Sequence, residues 1–222
     1  VPAGLISPAD LPGKRVGVNR GYTVTTGVWA RAIIQDEYGV DLSQVTWCPS
    51  GDEHVEAYRA PENVQPLDDG DLEGALTSGD LVAAVGAKID HPDVKTMFDD
   101  PFAAAVAALK GRGLYPINHT VVVRDDLLAE NPDVAIQVFN AFAESKNRYV
   151  DELKAGRVTD LGRVDKVHLA ALDMMDDPLP YGIDPNRDTL ERLIGHAVTQ
   201  KIIPEAVGVE HLFAAPTRDL VG

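Results

Sequence analysis

The feature of this sequence that most constrains its fold is an alternation of short strands with amphipathic helices. Three apolar segments, rich in Val, Leu and Ala, predict strands: Arg15–Val18, Val45–Cys48 and Leu81–Gly86. Apolar residues at helical spacing predict a helix over Val28–Tyr38, which Gly39 ends, and a short helix over Asp71–Gly79. Strands that alternate with helices predict an α/β fold with a largely parallel sheet and helices on its faces.

The pattern changes around Gly111–Gly113. After this point, β-branched residues predict a strand at Thr120–Val123, and a helix is expected from Pro132 to about Leu153. Its apolar positions near one face are Val134, Val138, Ala141, Phe142 and Tyr149. A further helix is predicted over Thr189–Lys201, with Leu190, Leu193, Ile194 and Ala197 on one stripe.

Charge and hydropathy exclude two classes of partner. The 222 residues include 20 basic and 35 acidic side chains, so the formal net charge is −15. An acidic surface without a basic stripe repels nucleic acid and anionic membranes. No apolar run approaches the roughly 20 residues that span a bilayer, so membrane insertion is not expected.

Neither the cysteine nor the histidines predict a metal site. Cys48 is the single cysteine and lies in a predicted strand, which favours a buried structural thiol over a reactive nucleophile. The histidines at 91, 168, 196 and 211 show no metal-ligand spacing with one another or with Cys48. The sequence also lacks the Gly-x-Ser-x-Gly motif of an α/β-hydrolase.

The loop Asn19–Gly27, between the first strand and its helix, is the strongest candidate for a ligand site. Ligands of open α/β sheets bind at the carboxyl ends of strands, where helix N-termini present free N–H groups. Four residues add hydroxyl groups, namely Tyr22, Thr23, Thr25 and Thr26, and Arg20 adds a charge that pairs with carboxylates. The loop therefore suits an anion. The alternative is a solvent-facing loop with a threonine as helix cap.

Two further loops leave predicted strands at the same edge. Lys88 follows the third strand and is expected either to meet a ligand carboxylate or to be solvated. The acidic loop Ser50–His54 follows the second strand, and solvation is the favoured interpretation of its side chains over positioning of a ligand hydroxyl.

The segment Tyr115–Thr120 supplies a candidate acid. Histidine side chains in general can donate a proton near neutral pH, which makes His119 a candidate, and Asn118 beside it is a candidate ligand contact. A structural histidine at the start of a strand is the alternative.

These segments together resemble a known family. Asp10–Val18 is similar to the opening of the second lobe in type II substrate-binding proteins. Val28–Arg31, Gln35–Val40 and Tyr115–Arg124 resemble 4,5-dihydroxyphthalate decarboxylases and their relatives, in which a Pro-Ile-x-His segment recurs. The resemblance extends from about Ser7 to Leu153.

The resemblance implies a two-lobed type II periplasmic-binding-protein fold with a ligand cleft. The second lobe would comprise residues 10–112, and residues 1–9 and 113–222 would belong to the first lobe, whose N-terminal part is expected to be missing. The implied activity is cofactor-free decarboxylation of a dihydroxylated aromatic carboxylate, with His119 as the acid and Arg20, Lys88 and the Tyr22–Thr26 loop as the anion site. A transporter's solute-binding protein for a small anionic or aromatic ligand stays the alternative. The first activity implies a cytoplasmic location and the second an extracytoplasmic one. Homo-oligomerisation is left open.

Overall fold

Three parallel strands form the sheet in this computed structural model, which describes residues 7–222. They are β1 (Arg15–Val18), β2 (Thr46–Pro49) and β3 (Ala83–Val85), in the order β2-β1-β3. Gly17 of β1 lies opposite Cys48 of β2 and Ala84 of β3. The predicted parallel sheet is confirmed, with strand ends shifted by no more than two residues.

Seven α-helices occur in the described part of the chain: α1 (Thr25–Tyr38), α2 (Leu72–Thr77), α3 (Pro101–Arg112), α4 (Asp125–Glu130), α5 (Val134–Lys154), α6 (Arg163–Leu172) and α7 (Arg187–Thr199). Four of them, α1, α2, α5 and α7, confirm predicted helices. Helix α1 begins three residues earlier than predicted and ends at Gly39. The φ of Gly39 is 64°, a left-handed conformation that glycine adopts readily because it has no Cβ atom.

The prediction of a strand at Thr120–Val123 is wrong. This segment has neither strand nor helix, and Val122 is 86% exposed. The β-branched residues favour extended backbone, but a strand also needs a neighbour for its N–H and C=O groups. No residue within 7–222 pairs with the segment.

The chain divides into two compact units. Unit 1 comprises the described residues up to Asp99 together with Leu193–Ala206, and unit 2 comprises Asp100–Arg192 with Val207–Gly222. The division at Asp99 differs from the expected lobe boundary at residue 112, and Leu193–Ala206 returns to unit 1. The lobe assignment itself stays a prediction.

Unit 1 buries the sheet between its helices. Val16, Val18, Val45 and Trp47 form the centre of its core, and the Trp47 indole N–H donates to the Leu42 carbonyl at 3.0 Å. Cys48 is fully buried, which confirms the predicted structural thiol, and burial raises its pKa. A side chain at Gly17 would force core leucines to shift, because a Cβ there would lie 2.5 Å from Leu72 Cδ2 and 2.8 Å from Leu81 Cδ1.

Unit 2 contains the long helix α5, whose buried face differs from the predicted one. Phe142 is 48% exposed, and the buried positions are Ala135, Ala143, Lys146, Val150 and Leu153. Lys146 therefore lies among the buried residues of the helix. The ion pair described below explains this position.

Residues 7–222 contain no helix with both the length and the apolar composition needed to cross a membrane.

Candidate functional site

The strand order creates a switch point between β1 and β3. From β1 the chain first adds β2 on one side and then returns to add β3 on the other. Ligands of open α/β sheets bind outside the carboxyl ends of strands at such a point. The loops meet here, because Asn19 N–H donates to the Val85 carbonyl and Asn19 Nδ2 to the Gly86 carbonyl, both at 3.0 Å. Arg20 N–H donates to Ser50 Oγ at 3.0 Å.

The donors of the loop after β1 already hold a carboxylate, that of Glu53. Tyr22 N–H donates to Glu53 Oε1 at 2.5 Å, and Thr23 N–H donates to Oε2 at 3.1 Å. The Thr23 hydroxyl donates to the same Oε2 at 2.6 Å. Gly21 leaves room for this approach, because a Cβ there would lie 2.7 Å from Glu53 Oε2. The favoured interpretation of Ser50–His54 as a solvated loop does not describe Glu53.

A buried guanidinium lies beneath the same loop. Arg31 has no solvent exposure, its Nη2 donates to the Tyr22 carbonyl at 2.6 Å, and its Nε donates to Gln200 Oε1 at 2.7 Å. Its Cζ stacks 3.8 Å from the centre of the Tyr22 ring. Burial lowers the Arg31 pKa to about 10, so the group stays charged at neutral pH. Apart from its place on α1, no sequence pattern singles out Arg31.

The first turn of α1 presents free donors beside the loop. Thr25 and Thr26 are its first two residues, and their N–H groups have no acceptor among the described residues. The helix cap is Val24, which offers no side-chain bond, so the alternative of a threonine cap is wrong. A Cβ on Gly86 would lie 3.5 Å from Thr26 Cγ2, so the loop after β3 passes close to this turn. Free N–H groups and the helix dipole favour an anion there.

The other predicted residues of unit 1 are arranged around this turn. Arg20 is exposed with a φ of 65°, and Lys88 is exposed on the loop after β3. The Tyr22 hydroxyl instead points into the unit, where it donates to the Gln200 carbonyl at 3.4 Å. Tyr22 therefore contributes its backbone N–H, and not its hydroxyl, to the donors of this loop.

The two predicted residues of unit 2 lie on an irregular segment. Asn118 and His119 are both exposed, between α3 and α4. Nearby, the Tyr115 hydroxyl donates to the Pro178 carbonyl at 2.8 Å. The acid role of His119 stays a prediction.

Unit 2 also holds buried polar side chains that the sequence did not single out. Lys146 Nζ bonds Asp177 Oδ2 at 2.5 Å. The Tyr149 hydroxyl donates to Asp165 Oδ1 at 2.6 Å and lies 2.9 Å from His168 Nδ1. Since a hydroxyl has one proton, His168 must donate from Nδ1. The sequence pattern that could have identified these side chains is the spacing of polar residues at i and i+3 on the buried faces of α5 and α6.

Comparison with known proteins shows what this chain is similar to. No family model matches it. It is 32% identical over 208 residues to a protein of Comamonas testosteroni named 4,5-dihydroxyphthalate decarboxylase, with 86% of this chain and 63% of the relative covered. The chain is thus similar over most of its length to a 4,5-dihydroxyphthalate decarboxylase. A decarboxylase of the same name from Pseudomonas putida is 34% identical over 122 residues, which cover 46% of this chain and 45% of the relative.

The family resemblance expected from the sequence is thereby confirmed. The chain spans less than two thirds of the length of either decarboxylase. Within the residues described, no group of three or more His, Cys, Asp or Glu side chains is placed to hold a metal ion. What unit 1 offers chemically is a set of N–H and hydroxyl donors that bind a carboxylate, with a buried positive charge below them.

Proposed function

We propose that this protein decarboxylates a dihydroxylated aromatic dicarboxylate, of which 4,5-dihydroxyphthalate is the candidate named by its relatives. The observation that carries the proposal is the binding of the Glu53 carboxylate by Tyr22 and Thr23. Those donors lie at the switch point of the sheet and are suited to the functional group that the substrate carries twice.

Binding of a dianion by a protein of net charge −15 requires a local positive potential. Arg31 supplies a permanent charge under the loop, and the free N–H groups of Thr25 and Thr26 add the helix dipole. Arg20 and Lys88 are exposed cations at the same edge, with side chains long enough to reach a bound carboxylate. We assign to these residues the carboxylate that stays on the ring.

The chemistry needs a proton donor and no electron acceptor. The hydroxyl para to the departing carboxylate pushes electron density to the ring carbon that bears it, and an acid protonates that carbon. The carbon–carbon bond then breaks, its electron pair restores the aromatic ring, and carbon dioxide leaves. We assign the acid to His119, because an imidazole can donate a proton near neutral pH and this one is exposed to solvent. The type II periplasmic-binding-protein architecture belongs to this proposal, and the parallel sheet of unit 1 supports it.

The test is carbon dioxide release from 4,5-dihydroxyphthalate by the purified protein. A general acid typically contributes about 10²- to 10⁴-fold to the rate, so His119→Asn should lower kcat by that factor while substrate binding is largely retained. The matched control is His211→Asn, which changes another exposed histidine of unit 2 and should leave kcat unchanged.

Full turnover by His119→Asn would remove His119 from the acid role. If the folded wild-type protein binds the compound and releases no carbon dioxide, the decarboxylase proposal fails. The solute-binding alternative would then account for the site.

A further inference from the structure

The Glu53 carboxylate comes from a segment with no regular structure. Residues 51–60 contain neither helix nor strand, and Asp52, His54 and Glu56 are all exposed. Unlike these three side chains, that of Glu53 turns inward, to three donors of the loop after β1. The N–H and hydroxyl donors of Tyr22 and Thr23 are therefore bound to an acceptor that lies on an irregular surface segment.

A second observation, a guanidinium nitrogen of Arg31 that is unpaired within the described residues, independently indicates that the site can accept a further anion. Its Nη1 is buried and has no hydrogen-bond partner among the described residues, and no carboxylate there forms an ion pair with it. Glu53 reaches Arg31 only through longer-range attraction. The Tyr58 hydroxyl is also buried without a partner, and it too feels the charges of Arg31 and Glu53. Leaving buried donors unsatisfied costs stability, so an additional acceptor would be favourable here.

We infer that Glu53 occupies the place of a ligand carboxylate, and that an external carboxylate binds Tyr22 and Thr23 by exchanging with it. The inference rests on the proposed function for the class of ligand. A tethered carboxylate competes at a high effective concentration, which weakens the apparent affinity for every anion.

The exchange also selects among ligands. A monocarboxylate replaces Glu53 with an equivalent group and gains little. A ligand with two adjacent carboxylates gains a second set of bonds, for which the N–H groups of Thr25 and Thr26 are free. Glu53 thus raises the affinity that any ligand needs, so that a dicarboxylate with its second set of bonds still binds while a monocarboxylate binds weakly.

The experiment is calorimetric titration of wild-type, Glu53→Ala and Glu53→Gln proteins with benzene-1,2-dicarboxylate and with benzoate. Charge-assisted hydrogen bonds contribute enough that removing the competitor should tighten binding of the dicarboxylate about 10- to 100-fold in Glu53→Ala. Benzoate should gain by a similar factor from a weaker starting affinity, since both ligands compete with the same carboxylate for Tyr22 and Thr23. Glu53→Gln should fall between, because a neutral amide accepts weaker bonds.

The control is Glu56→Ala, which removes one negative charge from the same segment at an exposed position and should change affinity by less than about twofold. If Glu53→Ala and Glu53→Gln fold, as thermal unfolding would show, and bind no more tightly than wild type, the inference is overturned. Where only Glu53→Gln folds, its affinity decides in the same way.

The outcome is separable from that of the proposed function. Tighter binding by the Glu53 variants without carbon dioxide release from 4,5-dihydroxyphthalate would support the exchange and contradict the decarboxylase. Carbon dioxide release with no effect of Glu53 on affinity would do the reverse.

Discussion

At the scale of the residue, His168 shows how burial sets a protonation state. Its ring packs against Tyr149, and its Nδ1 donates to the Tyr149 hydroxyl, which donates in turn to Asp165. Burial lowers the His168 pKa, while Asp165 and Asp177 act in the opposite direction. The bond from Tyr149 lowers the pKa of Asp165, which keeps the acceptor charged. The imidazole is therefore neutral at pH 7.

This arrangement predicts a pH dependence of stability. A histidine whose folded-state pKa lies below its unfolded value of about 6.5 stabilises the fold fully above that pH. The contribution is lost as pH falls through the window between the two pKa values, because the unfolded chain takes up the proton first. Urea unfolding between pH 5 and 8 should show a steeper loss on the acid side for wild type than for His168→Gln. The exposed His211→Gln should follow wild type, and equal slopes for all three proteins would contradict the account.

The contacts of single side chains were the feature that the sequence predicted least well. The loop after β1 could be selected because hydroxyl-rich residues follow a strand, and the structure does place Thr23, Thr25 and Thr26 at that edge. Its bond to Glu53 spans 30 residues and depends on how two loops fold back, which no local spacing encodes.

At the scale of the element, α5 carries an ion pair whose two partners differ in burial. The Lys146 side chain is 3% exposed, and it packs over the Tyr181 ring as well as pairing with Asp177. The Asp177 side chain is 32% exposed, and its other oxygen accepts from Leu179 N–H at 2.8 Å. The pair fastens the Asp177–Gly182 segment to the helix.

The difference in burial predicts unequal effects on stability. Asp177→Asn leaves a buried ammonium without its counter-charge and should cost about 3 kcal/mol of unfolding free energy. Lys146→Met removes the buried charge, fills the space and leaves a partly hydrated carboxylate, so it should cost less, about 1–2 kcal/mol. Chemical denaturation of both variants measures this order. Glu152→Gln, which breaks the exposed pair with Arg157, serves as the control and should have little effect. A larger loss for Lys146→Met than for Asp177→Asn would contradict the explanation.

Helices and strands were predictable to the extent that their signals are local. Gly39 and the spacing of apolar residues suffice for α1, and Asp71, whose carboxylate accepts from Gly74 N–H at 2.9 Å, caps α2. Helix α3 was missed, although Asp100, Pro101 and Gly113 are start and stop signals. Thr120–Val123 failed as a strand because pairing, unlike β-branching, is a property of two segments.

At the scale of the whole molecule, the sheet order could not be read from the sequence, yet it determines where the site lies. The alternation of strands and helices predicts a parallel sheet, but only the order β2-β1-β3 brings the loops after β1 and β3 to one switch point. The family was recognisable because its residues recur in several segments, and the two decarboxylases confirm it.

Binding of the ligand's carboxylate at this edge of the sheet can be measured by amide NMR. Titration of the isotope-labelled protein with 4,5-dihydroxyphthalate should shift the backbone N–H signals of Tyr22, Thr23, Thr25 and Thr26, because these donors would gain or exchange a charged acceptor. The signals of α6 should stay in place. Saturable binding that leaves those four signals unchanged would contradict the account.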